Sequence, residues 1–409
     1  MAPDVQCVLE AMSISIAVAA LVVSAVTCSA LAAAVHALGR TRAPRVPLPP
    51  LTVIRPVRGL DPGLEDNARH ALRMRYPAPI ETLFVLDDET DPALPVLERV
   101  VASERARARI VLAGRPPDGR TGKLHAMIRG LEAARARTPL VCFSDSDTRP
   151  DPGVLEDLAS IVVASRDVGA AFARVIGTRT PRTLGDVGYT LLLDGLYGPQ
   201  AALASALQPT LPFVMGQTMV LRRSALEACG GLEGSEGELV DDMHIGARLL
   251  AAGYRNVIAR TPVAIVQEGL RFEALRRIAV RWMVFARTGI PRKWFNVPTV
   301  AWITTYFVGL GGALASIARG DAMAFIAFGA AAASVPLSLE LLRRQQGGAA
   351  LPAALWWAPF VCLALIPVWF VRARFARTIE WRGRIYALDP GGRLGAPAEE
   401  LALRSRSAS

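Results

Sequence analysis

The feature that most restricts the fold is a charge-free apolar run from Met12 to Leu38. About 20 such residues suffice to cross a bilayer as a helix, the form in which a single segment bonds its own backbone in lipid. A secretory signal is the competing reading. No basic segment precedes the run, however, and it exceeds the ~7–15 apolar residues of a signal core. A retained anchor over 12–38 is therefore expected, behind a short tail at 1–11. Three further runs of spanning length follow at Val297–Ile317, Ala322–Leu342 and Leu351–Val371, so 297–372 is read as membrane segments. Composition agrees: in 409 residues, 52% are hydrophobic and 20% charged, less charge than a soluble enzyme usually carries.

The net charge is +10. Such a surplus fits nucleic acid, anionic lipid or a phosphate-rich substrate. Its location decides against nucleic acid: Arg40, Arg42 and Arg45 follow the first apolar run, and Arg372, Arg374 and Arg377 follow the last. Arginines beside apolar runs mark a membrane surface and the cytosolic side. Five scattered cysteines, Cys7, Cys28, Cys142, Cys229 and Cys362, form no CxxC pair, so neither a disulfide framework nor a zinc site is indicated.

Between the anchor and residue 271 the pattern alternates. Leu51–Pro56, Thr82–Leu86 and Leu140–Ser144 read as short buried strands, with helical patterns at Pro62–Met74, Ala93–Ala106 and Lys123–Ala136. Alternating strands and helices imply an α/β domain with a mainly parallel sheet, here over 39–271, whose ligands bind beyond the carboxyl ends of the strands. From Phe272 to Phe295 arginines interleave with apolar residues, which predicts amphipathic helix in the membrane interface over 272–296; an ordinary surface helix is the bland alternative. The topology does not close from sequence. Three crossings after the domain would leave the Arg-rich tail, 373–409, on the opposite face from the domain, against the positive-inside tendency. Pro336 and Pro352 offer places for a broken or re-entrant run. The end, from about Gly391, is polar and expected to be disordered.

Three acidic clusters carry the chemistry: Asp87-Asp88-Glu89 and Asp145-Ser146-Asp147, each directly after a buried strand, and Asp241-Asp242 ahead of a helical run. One Asp at a strand end is usually a turn or cap residue, but three clusters in one domain are not explained that way. Alternate residues of an extended segment can turn toward one hard cation where the strand ends, and Mg²⁺ or Mn²⁺ commonly bridges a carboxylate to substrate phosphates. The four histidines, His36, His70, His125 and His244, make no Ser-His-Asp pattern, and no GxxxxGK[ST] loop is present. His244 either orients Asp242 or packs.

With these clusters in place, the chain resembles the GT-A glycosyltransferases of family 2 and, more closely, family 21, which includes ceramide glucosyltransferases. The likeness rests on Arg55-Pro56-Val57-Arg58-Gly59-Leu60-Asp61-Pro62, on VLDDETDP at 85–92, on Thr121-Gly122-Lys123, on FSDSD at 143–147, on VDDM at 240–243, on Arg281-Trp282, and on Thr378–Arg384. It implies a Rossmann-like GT-A domain between an N-terminal transmembrane helix and C-terminal membrane helices. It also implies inverting transfer from a UDP-sugar to the hydroxyl of a bilayer lipid, ceramide first. Asp242 is then the general base, Asp145 and Asp147 hold Mg²⁺ or Mn²⁺, and Asp88 binds the nucleotide's base or ribose. Lys123 and Arg281 contact phosphate, and Trp282 stacks on the acceptor or packs. The expected place is a bacterial inner membrane, with the catalytic domain facing the cytosol. Two positions depart from the pattern. Ile278 stands where the family carries Gln or Arg, with Arg277 one place earlier. Gly198-Pro199 stands where animal ceramide enzymes carry His-Pro. Hopanoid-associated N-acetylglucosaminyl transferases and polyprenyl-phosphate glycosyltransferases stay open as alternatives; a processive polysaccharide synthase or an inactive scaffold fits less well.

Overall fold

The computed structural model describes residues 3–42, 44–104, 107–288 and 296–395. Helix α1 (Pro3–Gly39) leads to an α/β domain built from β1 (Leu51–Pro56), α2 (Leu64–Leu72), β2 (Ile80–Leu86), α3 (Leu94–Ala102), β3 (Ala108–Leu112), α4 (Gly122–Ala133), β4 (Leu140–Ser144), β5 (Thr148–Arg149), α5 (Val154–Ala164) and β6 (Val168–Gly177). Helix α6 (Leu184–Thr190) runs through a π-helical segment, Leu191–Tyr197, into α7 (Gly198–Leu207), followed by β7 (Thr218–Arg222), α8 (Arg223–Ala228), α9 (Asp241–Ala251) and β8 (Arg255–Ile265). Then come α10 (Phe272–Thr288), α11 (Val297–Arg319), α12 (Ala322–Gln345), α13 (Ala358–Ala364), α14 (Ile366–Phe375) and a hairpin of β9 (Thr378–Trp381) and β10 (Arg384–Ala387).

The three sequence-read strands are β1, β2 and β4, and together with β3 they pair in parallel. The eight-stranded sheet has the order β3-β2-β1-β4-β7-β6-β8-β5, with β7 antiparallel to both neighbours. Alternation along β4 sends Val141 and Phe143 to one face, against Leu124, Met127 and Ile128 of α4, and Leu140 and Cys142 to the other, against Leu155 and Leu158 of α5. Helix α4 lies close on β1 and β2 at Gly130, where a Cβ would come within 2.7 Å of Ile54 and 2.9 Å of Val85. This mixed sheet covered by helices on both faces is the expected GT-A architecture.

Among the described residues, three unbroken helices are long and apolar enough to cross a membrane: Glu10–Gly39 of α1, α11 and α12. They pack on one another and leave Ile16, Val26, Leu314, Met323, Ile326 and Leu337 exposed. Small residues let two of them touch: a Cβ at Gly309 of α11 would come within 2.5 Å of the Ala332 backbone in α12. Pro336 sits inside α12 without ending it.

The third C-terminal run is not one continuous helix. It is broken into a 3-10 turn, α13 and α14, with α14 bent from the preceding segment by 41°. Pro359 and Pro367 each stand in the first turn of a short helix, where Pro is tolerated and the helix before it is not continued. Both open ends of the α11–α12 pair meet the α/β domain. Thr299 accepts a hydrogen bond from Gln200, and Gln346 donates to the Asp194 carbonyl. The third run therefore leaves from the domain side, and it returns there too, because the β9–β10 hairpin after it packs into the domain. The run is tied to α11 by the Tyr306 hydroxyl donating to the Phe360 carbonyl at 2.8 Å, about 10 Å along the helix from Thr299 at 1.5 Å per residue. The run at 351–371, expected as a membrane segment of spanning length, is thus a helix pair bent between Ala364 and Ile366 rather than one continuous helix. Within the expected basic tail, 378–387 forms a hairpin, and the Leu394 amide donates to the Gly237 carbonyl. The expected disordered end lies, from residue 396, outside the described residues, as do Arg292 and Lys293 of the expected interfacial segment.

Candidate active site

One cavity opens beyond the carboxyl ends of β1, β2 and β4, which is where a parallel sheet offers its crevice. Arg58, Asp87, Lys123, Asp145 and Asp147 line its polar part. Val175, Leu193, Tyr197, Met215, Trp282 and Phe285 line its apolar part. The π-helical segment, a rare form that is enriched at functional sites, supplies Leu193 and Tyr197.

The loop carrying Asp145 and Asp147 is held from below by Arg55 of β1, which is buried. Its guanidinium donates to Ser144 Oγ at 3.1 Å, to the Asp145 carbonyl at 2.8 Å and to the Thr148 carbonyl at 3.0 Å. Burial lowers this guanidinium to about 10, so it stays charged. Lys123, in the first turn of α4, pairs with Asp145 Oδ1 at 2.7 Å and donates to the Gly216 carbonyl at 3.2 Å. Burial alone would pull its ammonium down, but the carboxylates of Asp145, Asp241 and Asp242 hold it above its ordinary value. The Asp147 carboxyl is pushed up to about 7 by burial, then by neighbouring Asp61, and its Oδ1 is shielded from solvent with no hydrogen-bond partner.

Such an orphaned acceptor beside a second carboxylate suits a hard divalent cation. Among the described residues no three His, Cys, Asp or Glu side chains close into a metal cage. The site fits a metal held by one or two carboxylates, with substrate phosphates supplying further oxygens.

Asp241 and Asp242 open α9. Asp242 Oδ2 accepts the Gly216 amide at 2.6 Å and Oδ1 accepts the Met243 amide at 2.8 Å. Gly216 is needed for this approach, since a Cβ there would lie 2.5 Å from Asp242 Oδ2. Burial raises Asp242 above the usual carboxylate range, and it pushes Asp241 up to about 6. Lys123, Gly216 and Asp242 thus form one chain of contacts ending at Asp145. His244 does not orient Asp242: its ring faces Ser235 Oγ at 3.2 Å and Glu238 at 3.9 Å.

Asp88, expected to bind the nucleotide, does not line the cavity. Its carboxylate turns back to the Thr90 amide at 2.9 Å, a local Asx turn, and Thr90 holds it below the usual carboxylate range. Asp87 is the residue that faces inward, bonded to Arg58 and to Arg384 at 2.9 Å. Asp87→Asn is expected to weaken UDP binding about tenfold, the size of one lost charge-assisted hydrogen bond, and Asp88→Asn to leave it within about twofold. Calorimetric titration of both variants with UDP checks this, and the reverse ranking restores Asp88.

From α10, Arg281 and Trp282 both reach the cavity. Arg281 is half-buried, its Nε has no hydrogen-bond partner, and desolvation lowers it to about 10. Its guanidinium carbon stands 5.5 Å from the Trp381 ring centroid, a cation–π distance. Trp282 meets Tyr197 edge-on at 5.0 Å and Tyr189 at 6.1 Å, so it packs as well as lining the cavity. Ile278 packs into the core, and Arg277 pairs with Glu380 at 3.5 Å without lining the cavity. Two contributions went unread. Asp61 bonds Ser146 and Arg382. The hairpin sends Trp381, Arg382, Arg384 and Tyr386 into the cavity, with Tyr386 accepting the Gly122 amide at 3.0 Å. Its alternating TIEW-RG-RIYA pattern around Arg-Gly was the available signal.

Comparison with known proteins places this site in context. A family model described as glycosyl transferase family 21 matches residues 12–394. Ceramide glucosyltransferase 1 of Caenorhabditis elegans is 24% identical over 359 residues, covering 85% of this chain and 73% of that protein. Ceramide glucosyltransferase 3 of the same organism is 23% identical over 375 residues, covering 86% and 75%. Among solved structures, the mannosyltransferase PcManGT from Pyrobaculum calidifontis, in complex with GDP-Man and Mn²⁺, shares 18% identity and a TM-score of 0.48, covering 88% of this chain and 97% of that one.

Proposed function

Since the chain belongs to glycosyl transferase family 21, and is by that membership a glycosyltransferase, we propose that it moves a sugar from a UDP-sugar onto the hydroxyl of a membrane lipid, ceramide first. The observation that carries this reading is a single cavity in which the Asp145–Asp147 pair, Lys123 and Asp87 meet an apolar wall made by the π-helical segment and α10. That wall continues into membrane helices: Gly195 packs against Leu339 of α12, 3.2 Å from a built Cβ.

The chemistry follows from the residues. Asp87, with Arg58 and Arg384, replaces Asp88 as the site for the nucleoside. Lys123 and Arg281 offer charge-assisted contacts to the diphosphate. Asp145 and Asp147 would hold Mg²⁺ or Mn²⁺, which when bound neutralises charge on the departing diphosphate. Asp242 takes the proton of the lipid hydroxyl as its oxygen bonds to the anomeric carbon and the bond to the diphosphate breaks. Purified protein in ceramide-containing vesicles with UDP-glucose is expected to give a glycolipid that survives mild acid. A product cleaved by mild acid, as a sugar phosphate is, overturns the hydroxyl acceptor.

The same reading sets the membrane topology. With α1, α11 and α12 crossing and 351–371 re-entrant, Arg40, Arg42, Arg343, Arg344, Arg372, Arg374 and Arg377 all fall on the catalytic face, the cytosolic one by the positive-inside tendency. A cysteine placed at Gly320, in the α11–α12 turn, is expected to react with an impermeant thiol reagent added from the face opposite the catalytic domain. One at Arg393 reacts only from the domain's face. Equal labelling of both from one face contradicts this layout.

A further inference from the structure

The β9–β10 hairpin begins 97 residues beyond α10's Arg281 in sequence, yet it closes over the Asp145–Asp147 loop. Its turn is Arg382-Gly383, with φ 51 and 71, the two left-handed central residues of a type I′ hairpin. Asn or Gly fills such a position at less conformational cost than Arg, so the Arg382 side chain earns a functional explanation. Its guanidinium bonds Asp61, and its second nitrogen stands 3.8 Å from Asp147 Oδ2. The Arg58 Nε donates to the Arg382 carbonyl at 2.6 Å, which fixes the turn against the segment after β1.

The two carboxylates of the Asp-x-Asp pair are therefore flanked by two resident cations, Lys123 on Asp145 and Arg382 on Asp147. These are not equivalent. Lys123 is in full contact at 2.7 Å, whereas Arg382 is anchored on Asp61 and only faces Asp147, whose Oδ1 stays unbonded. A divalent ion on Asp147 and a guanidinium a few ångströms away repel each other. Arrival of a diphosphate changes the balance, because it gives the guanidinium an anion of its own, with a fork geometry suited to phosphate.

We propose that Arg382 holds the place of the cation on Asp147 while the donor site is empty and becomes a ligand of the donor diphosphate when metal and nucleotide bind together. The hairpin then makes metal binding conditional on the nucleotide. This rests on the metal-dependent donor reading given above.

Arg382→Gly keeps the turn and deletes the side chain, and Arg382→Lys keeps the charge. Mn²⁺ binding to the nucleotide-free protein, read by electron paramagnetic resonance, is expected to tighten about tenfold in Arg382→Gly, the effect of removing a nearby positive charge. UDP binding in saturating Mn²⁺ is expected to weaken about tenfold in the same variant. Arg382→Lys keeps the charge and so stays near the parent in Mn²⁺ binding, while, lacking the fork, it recovers only part of the UDP binding. Loosening of the hairpin alone weakens UDP without tightening Mn²⁺, so Mn²⁺ binding equal to or weaker than the parent's overturns the inference, as does unchanged UDP binding. Asp147→Asn serves as the separate arm: if it binds Mn²⁺ like the parent in the presence of UDP, the underlying metal assignment fails rather than the role of Arg382.

Discussion

Replacing Asp242 by Asn is expected to lower turnover by about 10²–10⁴-fold, the range for loss of a general base, while UDP affinity stays within about twofold. The carboxylate is fixed by the Gly216 and Met243 amides at 2.6 and 2.8 Å, so one lone pair on each oxygen is committed and another is left for a hydroxyl proton. Burial raises its proton affinity, which favours proton transfer in the transition state. An Asn amide keeps the shape but accepts no proton. Gly216→Ala gives an independent check. Its Cβ would crowd Asp242 Oδ2, and it should reproduce most of the turnover loss without removing any carboxylate. Equal loss of UDP binding and turnover in Asp242→Asn would make Asp242 a binding residue and turn attention to Asp241.

The second large effect concerns metal. Asp145→Asn is expected to cut transfer by at least about 10³-fold and to weaken UDP binding in Mn²⁺, since the cation supplies several kcal/mol of charge stabilisation. Chelator-treated parent protein should show the same loss, with recovery on added Mn²⁺ or Mg²⁺, and chelation should cost Asp145→Asn little more. Because the substitution also releases Lys123 from its 2.7 Å partner, the fold of the variant is followed by thermal melting in detergent. Full-rate transfer by the chelated parent would remove the metal from the account.

How much of this was legible in the sequence depended on the range of the interactions involved. Strands β1, β2 and β4 and the acidic clusters behind them follow from local periodicity, and the apolar runs from hydropathy. The choice between Asp87 and Asp88 could not follow from either. It is set by Arg384, 297 residues away, and by a turn that folds Asp88 back on Thr90. The third apolar run has the composition of a span, and composition does not register a run broken at Pro359 and Pro367. Arg382 and Asp61 are separated by 321 residues and meet only because the hairpin after the broken third run packs back onto the domain. Lys123, Asp145, Asp147, Arg281, Trp282 and Asp242 do share the cavity, the part of the site that short motifs describe well.

The central claim is transfer of a sugar to a lipid hydroxyl, and the lipids of a living cell test it most directly. The full chain is expressed in a host that makes no glycolipids, with ceramide and hopanoid acceptors supplied, and the total lipid extract is analysed by mass spectrometry. The expected result is a hexosylceramide peak that disappears in Asp242→Asn. An N-acetylhexosamine on the hopanoid with ceramide untouched, or a sugar carried on a polyprenyl phosphate, would contradict the account.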